Sequence, residues 1–347
     1  MSDKIKVLVV DDSAFMRKAL SKMLSSDASI EVIDTATNGK EAIDKINKLH
    51  PDVVTLDVEM PYMDGLTALK HIMKESPLPV LMVSSVTEEG AKITLEALEL
   101  GAVDFIPKEL SLASLDIFKV EKQLVEKVKA ISKVTVNRSA LKKNTLSPKI
   151  KILSEKSRVE VIAIGTSTGG PAAIQEILTK LPADLPASIL IVQHMPATFT
   201  ATFAKRLNEL CTLEVNEAQG GEELAHGAVY IAPGGKQMTI ARMSKKIIIK
   251  ISDRPYDLIY KPSADVMMTS VAKEFGNNCA GIILTGMGSD GLEGITAIHK
   301  NKGKTIAESE ESCIVYGMPR VAIEANVIDI IVPLQQVAGE IINLFQN

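Results

Sequence analysis

Residues 159–171 read V-E-V-I-A-I-G-T-S-T-G-G-P, a β-branched run that ends in a glycine-rich turn around one serine, Ser167. A helical pattern follows from Pro171, a residue favoured in a first helical turn. A serine between strand and helix is exposed and lies near the positive end of a helix dipole. That placement suits a nucleophile whose oxyanion must be stabilised, and it suits a phosphate-binding glycine loop equally well. A base and a group to orient it favour the first reading. His194 ends the apolar run Ser188–Gln193, and Asp290 lies in the glycine loop after the run Gly281–Thr285. Ser, His and Asp at three strand ends have the makings of a catalytic triad. His226, in a polar turn, and His299, in a lysine-rich helix end, are expected at the surface.

A second set of polar residues lies in the first half. Asp11 and Asp12 follow one short apolar run, Asp57 ends another, Ser84 and Ser85 end a third, and Lys108 follows a fourth. Aspartates and serines after strands are usually turn formers, but four strand ends in register are harder to dismiss. Three carboxylates at one sheet edge repel one another unless a cation joins them. Mg²⁺ is the natural choice, being an oxygen-seeking ion that keeps exchangeable waters.

The elements that must position these residues alternate along the whole chain. Strands are predicted at 6–10, 30–36, 52–56, 79–83 and 103–106, with helices at 14–25, 39–49, 65–75 and 88–100 between them. The second half repeats the alternation, with strands at 159–165, 188–193, 281–285, 304–308 and 327–332. Its helices are predicted at 171–180, 198–210, 266–275, 291–300 and 334–345. Shorter strands at 213–217, 227–232, 238–241 and 246–251 read as hairpins. The fold class is therefore α/β, with two doubly wound parallel sheets, the second carrying a β insertion. Functional groups in such sheets gather beyond the carboxyl ends of the strands.

The chain has 347 residues, enough for two domains with separate cores. From Lys127 to Arg158 there are ten Lys or Arg and one acid, Glu155, in a Ser-, Asn- and Thr-containing stretch. Residues 119–131 still have helical spacing, and 134–154 beyond them read as a solvated linker, giving expected boundaries of 1–122, 123–156 and 157–347. No apolar run approaches the ~20 residues of a membrane span. Three scattered cysteines suggest reduced thiols in a cytoplasmic protein. A net charge of −4, no Trp and 3 % aromatics argue against nucleic-acid binding.

The motifs V-D-D-S at 10–13, T-L-D-V-E-M-P-Y-M-D-G at 55–65, M-V-S-S at 82–85 and G-A-V-D-F-I-P-K at 101–108 resemble the response-regulator receiver family. The resemblance implies a flavodoxin-like domain in which Asp57 accepts a phosphoryl group from a histidine kinase. It implies Mg²⁺ on Asp11, Asp12 and Asp57, phosphoryl oxygens on Lys108, and switch roles for Ser84 and Phe105. Receivers usually read Lys-Pro where this chain has Pro107-Lys108-Glu109, so no cis peptide is expected after Lys108. I-G-T-S-T-G-G-P at 164–171, Q-H-M-P at 193–196, Y-I-A-P-G at 230–234, K-P-S-A-D-V at 261–266, L-T-G-M-G-S-D-G at 284–291 and G-M-P-R at 317–320 are similar to the CheB family of chemotaxis protein-glutamate methylesterases. That similarity implies a Rossmann-like catalytic domain with Ser167 as nucleophile, His194 as base and Asp290 as its orienting group. The Met287 amide and Thr168 would serve the oxyanion. The implied substrates are methylated chemoreceptors, with glutamine side chains as further substrates, and no cofactor for hydrolysis. A monomer is expected. Tyr260 stands where a histidine is often found in the family, and no role is carried onto it. The rival reading is a non-enzymatic response regulator whose glycine loops bind a phosphorylated ligand.

Overall fold

The computed structural model describes residues 4–108, 117–134, 159–255 and 260–346, so most of the expected linker lies outside the described residues. The chain divides into two compact units, Met1–Asn144 and Thr145–Asn347.

The first unit contains β1 (Ile5–Val10), α1 (Ala14–Leu24), β2 (Ile30–Ala36), α2 (Gly39–Leu49), β3 (Val53–Asp57), α3 (Gly65–Glu75), β4 (Val80–Ser84), α4 (Glu88–Glu99), β5 (Asp104–Pro107) and α5 (Ile117–Ile131). All pairings in its sheet are parallel, in the order β2-β1-β3-β4-β5. That is the flavodoxin-like order. Strands buried on both faces read as continuous apolar runs, as in Val7–Val10 and Val80–Val83. The helices begin at side-chain caps: Ser13, Asn38, Asp64 and Thr87 each accept an orphan backbone N–H. Helix α5 packs against α1 and runs to Ile131. Residues 123–131, helical in spacing but beyond the expected boundary at 122, are part of this helix on the first unit.

The second unit contains β6 (Val161–Thr166), α6 (Gly170–Leu178), β7 (Ser188–Gln193), α7 (Ala197–Leu210), β8 (Glu214–Glu217), β9 (Ala228–Ile231), β10 (Gln237–Met243), β11 (Lys246–Ser252), α8 (Ala264–Phe275), β12 (Cys279–Ile283), α9 (Leu292–Lys300), β13 (Lys304–Glu308), α10 (Met318–Glu324), β14 (Ile330–Val332) and α11 (Leu334–Asn343). Seven strands form a parallel sheet in the order β14-β13-β12-β6-β7-β9-β8. The chain builds outward from β6 through β7 in one direction and from β12 through β13 in the other. The order thus reverses between β6 and β12, and ligand crevices open at such a reversal.

Among the described residues only β10 and β11 form a hairpin; β8 and β9 are parallel members of the main sheet. The reason is in residues 218–227, which do not turn back directly. They run along β11, with Gly221 and Leu224 N–H groups bonded to Ile249 and Ile247 carbonyls. Helix α10 opens on the G-M-P-R motif, and its Pro319 sits in the first turn, where a missing N–H costs nothing. Burial pushes the Cys211 thiol to about 11 and the Cys279 thiol to about 12. No helix among the described residues is long and apolar enough to cross a membrane.

Candidate functional site

Strand register sets the serine beside the histidine. Thr166 pairs with Gln193 at the ends of β6 and β7, so Ser167 and His194 are the next residues out on adjacent strands. The His194 N–H donates to the Thr166 carbonyl at 3.3 Å. The Ser167 N–H donates to Thr285 O at 3.1 Å, which ties the turn to the segment following β12. Gly169, at φ 80°, reverses the chain into α6. The Gln193 side-chain amide donates to both Ser167 O at 3.0 Å and His194 O at 3.3 Å, joining the two backbones.

Asp290 is buried and fully engaged. Its Oδ2 takes His194 Nε2 at 2.8 Å and the Ala264 N–H at 2.6 Å, and its Oδ1 takes Ser263 Oγ at 2.7 Å and the Asp265 N–H at 3.2 Å. The carboxylate thus sits on the N-terminus of α8, where a helix favours negative charge. Burial alone would raise its pKa, but His194, Ser263 and Ala264 together hold it below the usual carboxylate range. His194 keeps its other nitrogen, Nδ1, buried and without a hydrogen-bond partner. Thr168 is 1 % exposed with an unpartnered hydroxyl, and the Met287 N–H donates to no described group. Thus all five expected residues lie in the strand-end loops after β6, β7 and β12; His194 and Asp290 are hydrogen-bonded, and Ser167 is joined to them through backbone. Of the other histidines, His226 is exposed and His299 half-buried beside Asp329.

Several site residues escaped the sequence reading: Gln193, Ser263, Ala264 and Thr285. Ser263 carried a signal. It is an N-cap type directly before a helix, and the helix begins two residues earlier than predicted, at Ala264, which brings its N–H groups to Asp290.

In the first unit, Asp11, Asp12 and Asp57 each offer a carboxylate oxygen within 4.8 Å of the others. Asp11 and Asp57 are buried and Asp12 is exposed. Lys108 Nζ lies 2.6 Å from Asp57 Oδ2 and 3.0 Å from Asp11 Oδ2, and these two oxygens have no other partner. Burial, helped by the Asp11 charge, pushes the Asp57 pKa to about 6 against the pull of Lys108. Burial works the other way on Lys108, but its two carboxylate partners outweigh it and the pKa rises. Three hard oxygens, two of them buried beside a single ammonium, fit an Mg²⁺ ion by charge and donor type. Ser84 is buried, its hydroxyl donating to Gly90 O at 3.2 Å, and Phe105 is buried with Lys127 Nζ 5.8 Å from its ring centroid.

Comparison with known proteins follows the same division. Residues 162–341 match the CheB methylesterase family model and residues 7–117 match the response regulator receiver domain. The chain belongs to the CheB methylesterase family. A protein-glutamate methylesterase/protein-glutamine glutaminase of Oleidesulfovibrio alaskensis is 50 % identical over 98 % of this chain and 99 % of its own. One from Halalkalibacterium halodurans is 47 % identical over 99 % of both. The crystal structure of the Thermotoga maritima CheB methylesterase catalytic domain superposes with a TM-score of 0.53 at 35 % identity, covering 54 % of this chain and 98 % of that one.

Proposed function

We propose that the second unit hydrolyses glutamate γ-methyl esters on chemoreceptors, deamidates glutamine side chains there, and is regulated by phosphorylation of Asp57 during chemotactic adaptation. The observation that carries the reaction is the His194 imidazole: Nε2 is held by Asp290 while Nδ1 has no hydrogen-bond partner, beside the Ser167 turn. Ser167 Oγ attacks the ester carbonyl as its proton passes to Nδ1. The negative charge on the carbonyl oxygen is met by the Met287 N–H and the Thr168 hydroxyl. The tetrahedral intermediate collapses, the C–O bond to the methoxy group breaks, and the proton on Nδ1 leaves with methanol. Water then attacks the acyl-enzyme, with its proton taken by Nδ1, and carboxylate and Ser167 are released. With a glutamine side chain the same steps expel ammonia, which must be protonated as it leaves. Asp290 stays ionised, and its lowered pKa suits the stabilisation of a transient imidazolium.

In the first unit, Asp57 would take the phosphoryl group from a histidine kinase, and Asp11, Asp12 and Asp57 would hold Mg²⁺. When bound, the ion neutralises charge on the transferring phosphoryl oxygens. Lys108 binds those oxygens, and Ser84 and Phe105 respond to the new group.

Methanol release from methylated receptor tests both halves. Ser167→Ala is expected to lose roughly 10³-fold or more in kcat with an unchanged circular dichroism spectrum. Asp57→Asn is expected to keep basal hydrolysis and lose stimulation by a small phosphodonor with Mg²⁺. Near-normal turnover in the first variant would overturn the nucleophile, and retained stimulation in the second would overturn the phosphoacceptor.

A further inference from the structure

The Tyr260 ring lies flat against the His194 imidazole, with centroids 4.3 Å apart and planes 4° from parallel. We infer that Tyr260 is a positioning residue for His194, one that fixes the plane of the imidazole while Asp290 fixes its direction. This rests on the reading of His194 as the base.

One hydrogen bond, from Nε2 to Asp290, constrains a single edge of the ring. The Cβ–Cγ torsion of a histidine is broad, so the ring could still swing about that contact. A second aromatic plane in contact removes the swing and keeps Nδ1 aimed at one place. Tyr260 is itself anchored. Gln237, fully buried, donates from Nε2 to Tyr260 O at 2.9 Å and accepts the Ser263 N–H on Oε1 at 2.8 Å. The segment 260–264 therefore does two jobs at once: Ser263 and Ala264 hold Asp290, and Tyr260 holds the ring that Asp290 binds. The phenol tip reaches the backbone of Gly288, where a methyl on Cα would lie 2.9 Å from Oη. Tyr260 thus closes the space between the imidazole and the loop that carries Met287 and Asp290.

The contact should favour the reacting state. An aromatic face attracts a cation more than a neutral ring, and His194 becomes an imidazolium only as Ser167 attacks. Stabilisation confined to that moment appears in kcat and not in KM.

The test uses the full chain, with methanol release from methylated receptor and proton NMR of the Nε2–H shared with Asp290. Tyr260→Phe keeps the π face and is expected within about twofold of native in kcat. Tyr260→Leu fills the space without a π face and is expected to lose roughly ten- to a hundredfold in kcat with KM little changed, as small misplacements do. The Nε2–H signal should persist in the first variant and broaden by solvent exchange in the second. Native kcat in Tyr260→Leu, equal damage in Tyr260→Phe, or a change in KM alone would each overturn the proposal. Should the leucine variant not fold, Tyr260→His decides. It keeps a stackable ring, and it should add a loss of activity on acidification as the new imidazole charges against His194; an unaltered pH profile overturns the stack. His194→Gln run in parallel separates the two ideas. If it is inactive while Tyr260→Leu is native, the stack falls and the triad stands; if it is active, both fall.

Discussion

Two carboxylates at the start of α8 have opposite fates. Asp290 is kept below the ordinary range by its donors, whereas burial and the neighbouring Asp290 charge raise Asp265 to about 6, against the pull of the Gly294 N–H. Asp265 accepts that N–H at 2.8 Å, a bond an asparagine Oδ1 could also accept. For a carboxyl raised above its unfolded value near 3.8, the associated stability is complete below that pH and is lost as pH rises through about 6. Asp265→Asn is expected to stabilise the second unit above pH 6 by about 1–2 kcal/mol, after allowance for partial solvent exposure. It should also flatten the stability profile between about pH 4 and 6, a range that chemical denaturation at several pH values covers. A variant less stable than native at pH 8 would refute this. At this scale the sequence drew attention to Ser167, His194 and Asp290 because each lies at, or in the loop just beyond, the end of an apolar run. Gln193 and Tyr260 stayed silent. Their parts depend on which backbones and rings come to face them, and no local pattern records that.

At the scale of elements, sequence pattern and structure agree most closely where burial is two-sided or an amphipathic period is bounded by a cap. Strands β2, β7 and β13 and helices α2 and α3 lie where their patterns end. They part most at the edge of the second sheet, where β8 and β9 look like hairpin strands but pair in parallel. Short strands carry no information about direction; the segment that crosses between them does, through its bonds to β11. The β6–α6 turn also depends on close approach. A methyl on Gly170 would lie 2.0 Å from Gln193 Oε1 and 2.5 Å from Thr166 Oγ1. Gly170→Ala must therefore displace the amide that joins Ser167 to His194. Overpacking of this kind is expected to cost about 1–3 kcal/mol in stability, with a loss of turnover larger than the stability change explains. Thermal melts beside esterase assays measure both, and a neutral alanine would show that Gln193 does not govern the turn.

Over the whole molecule, two parallel sheets each place their chemistry beyond the strand ends, but they balance charge differently. In the second unit every oxygen of Asp290 is already satisfied within the protein. In the first, Asp11 and Asp57 share one lysine, and Asp12 stands exposed beside them with a carboxylate oxygen within 4.8 Å of theirs. Each unit has its own sheet and its own buried core. Heat should therefore unfold the chain in two steps, with only the first unit answering to Mg²⁺. At a hundred times its dissociation constant the ion is expected to add about 2.7 kcal/mol to that unit alone. In a scanning calorimeter, Mg²⁺ and its chelation would move one peak and leave the other in place; two peaks moving together would contradict the partition. A melting temperature would then belong to either half of this chain and not to the whole, and a ligand screen that follows a single averaged signal would mistake receiver binders for esterase binders.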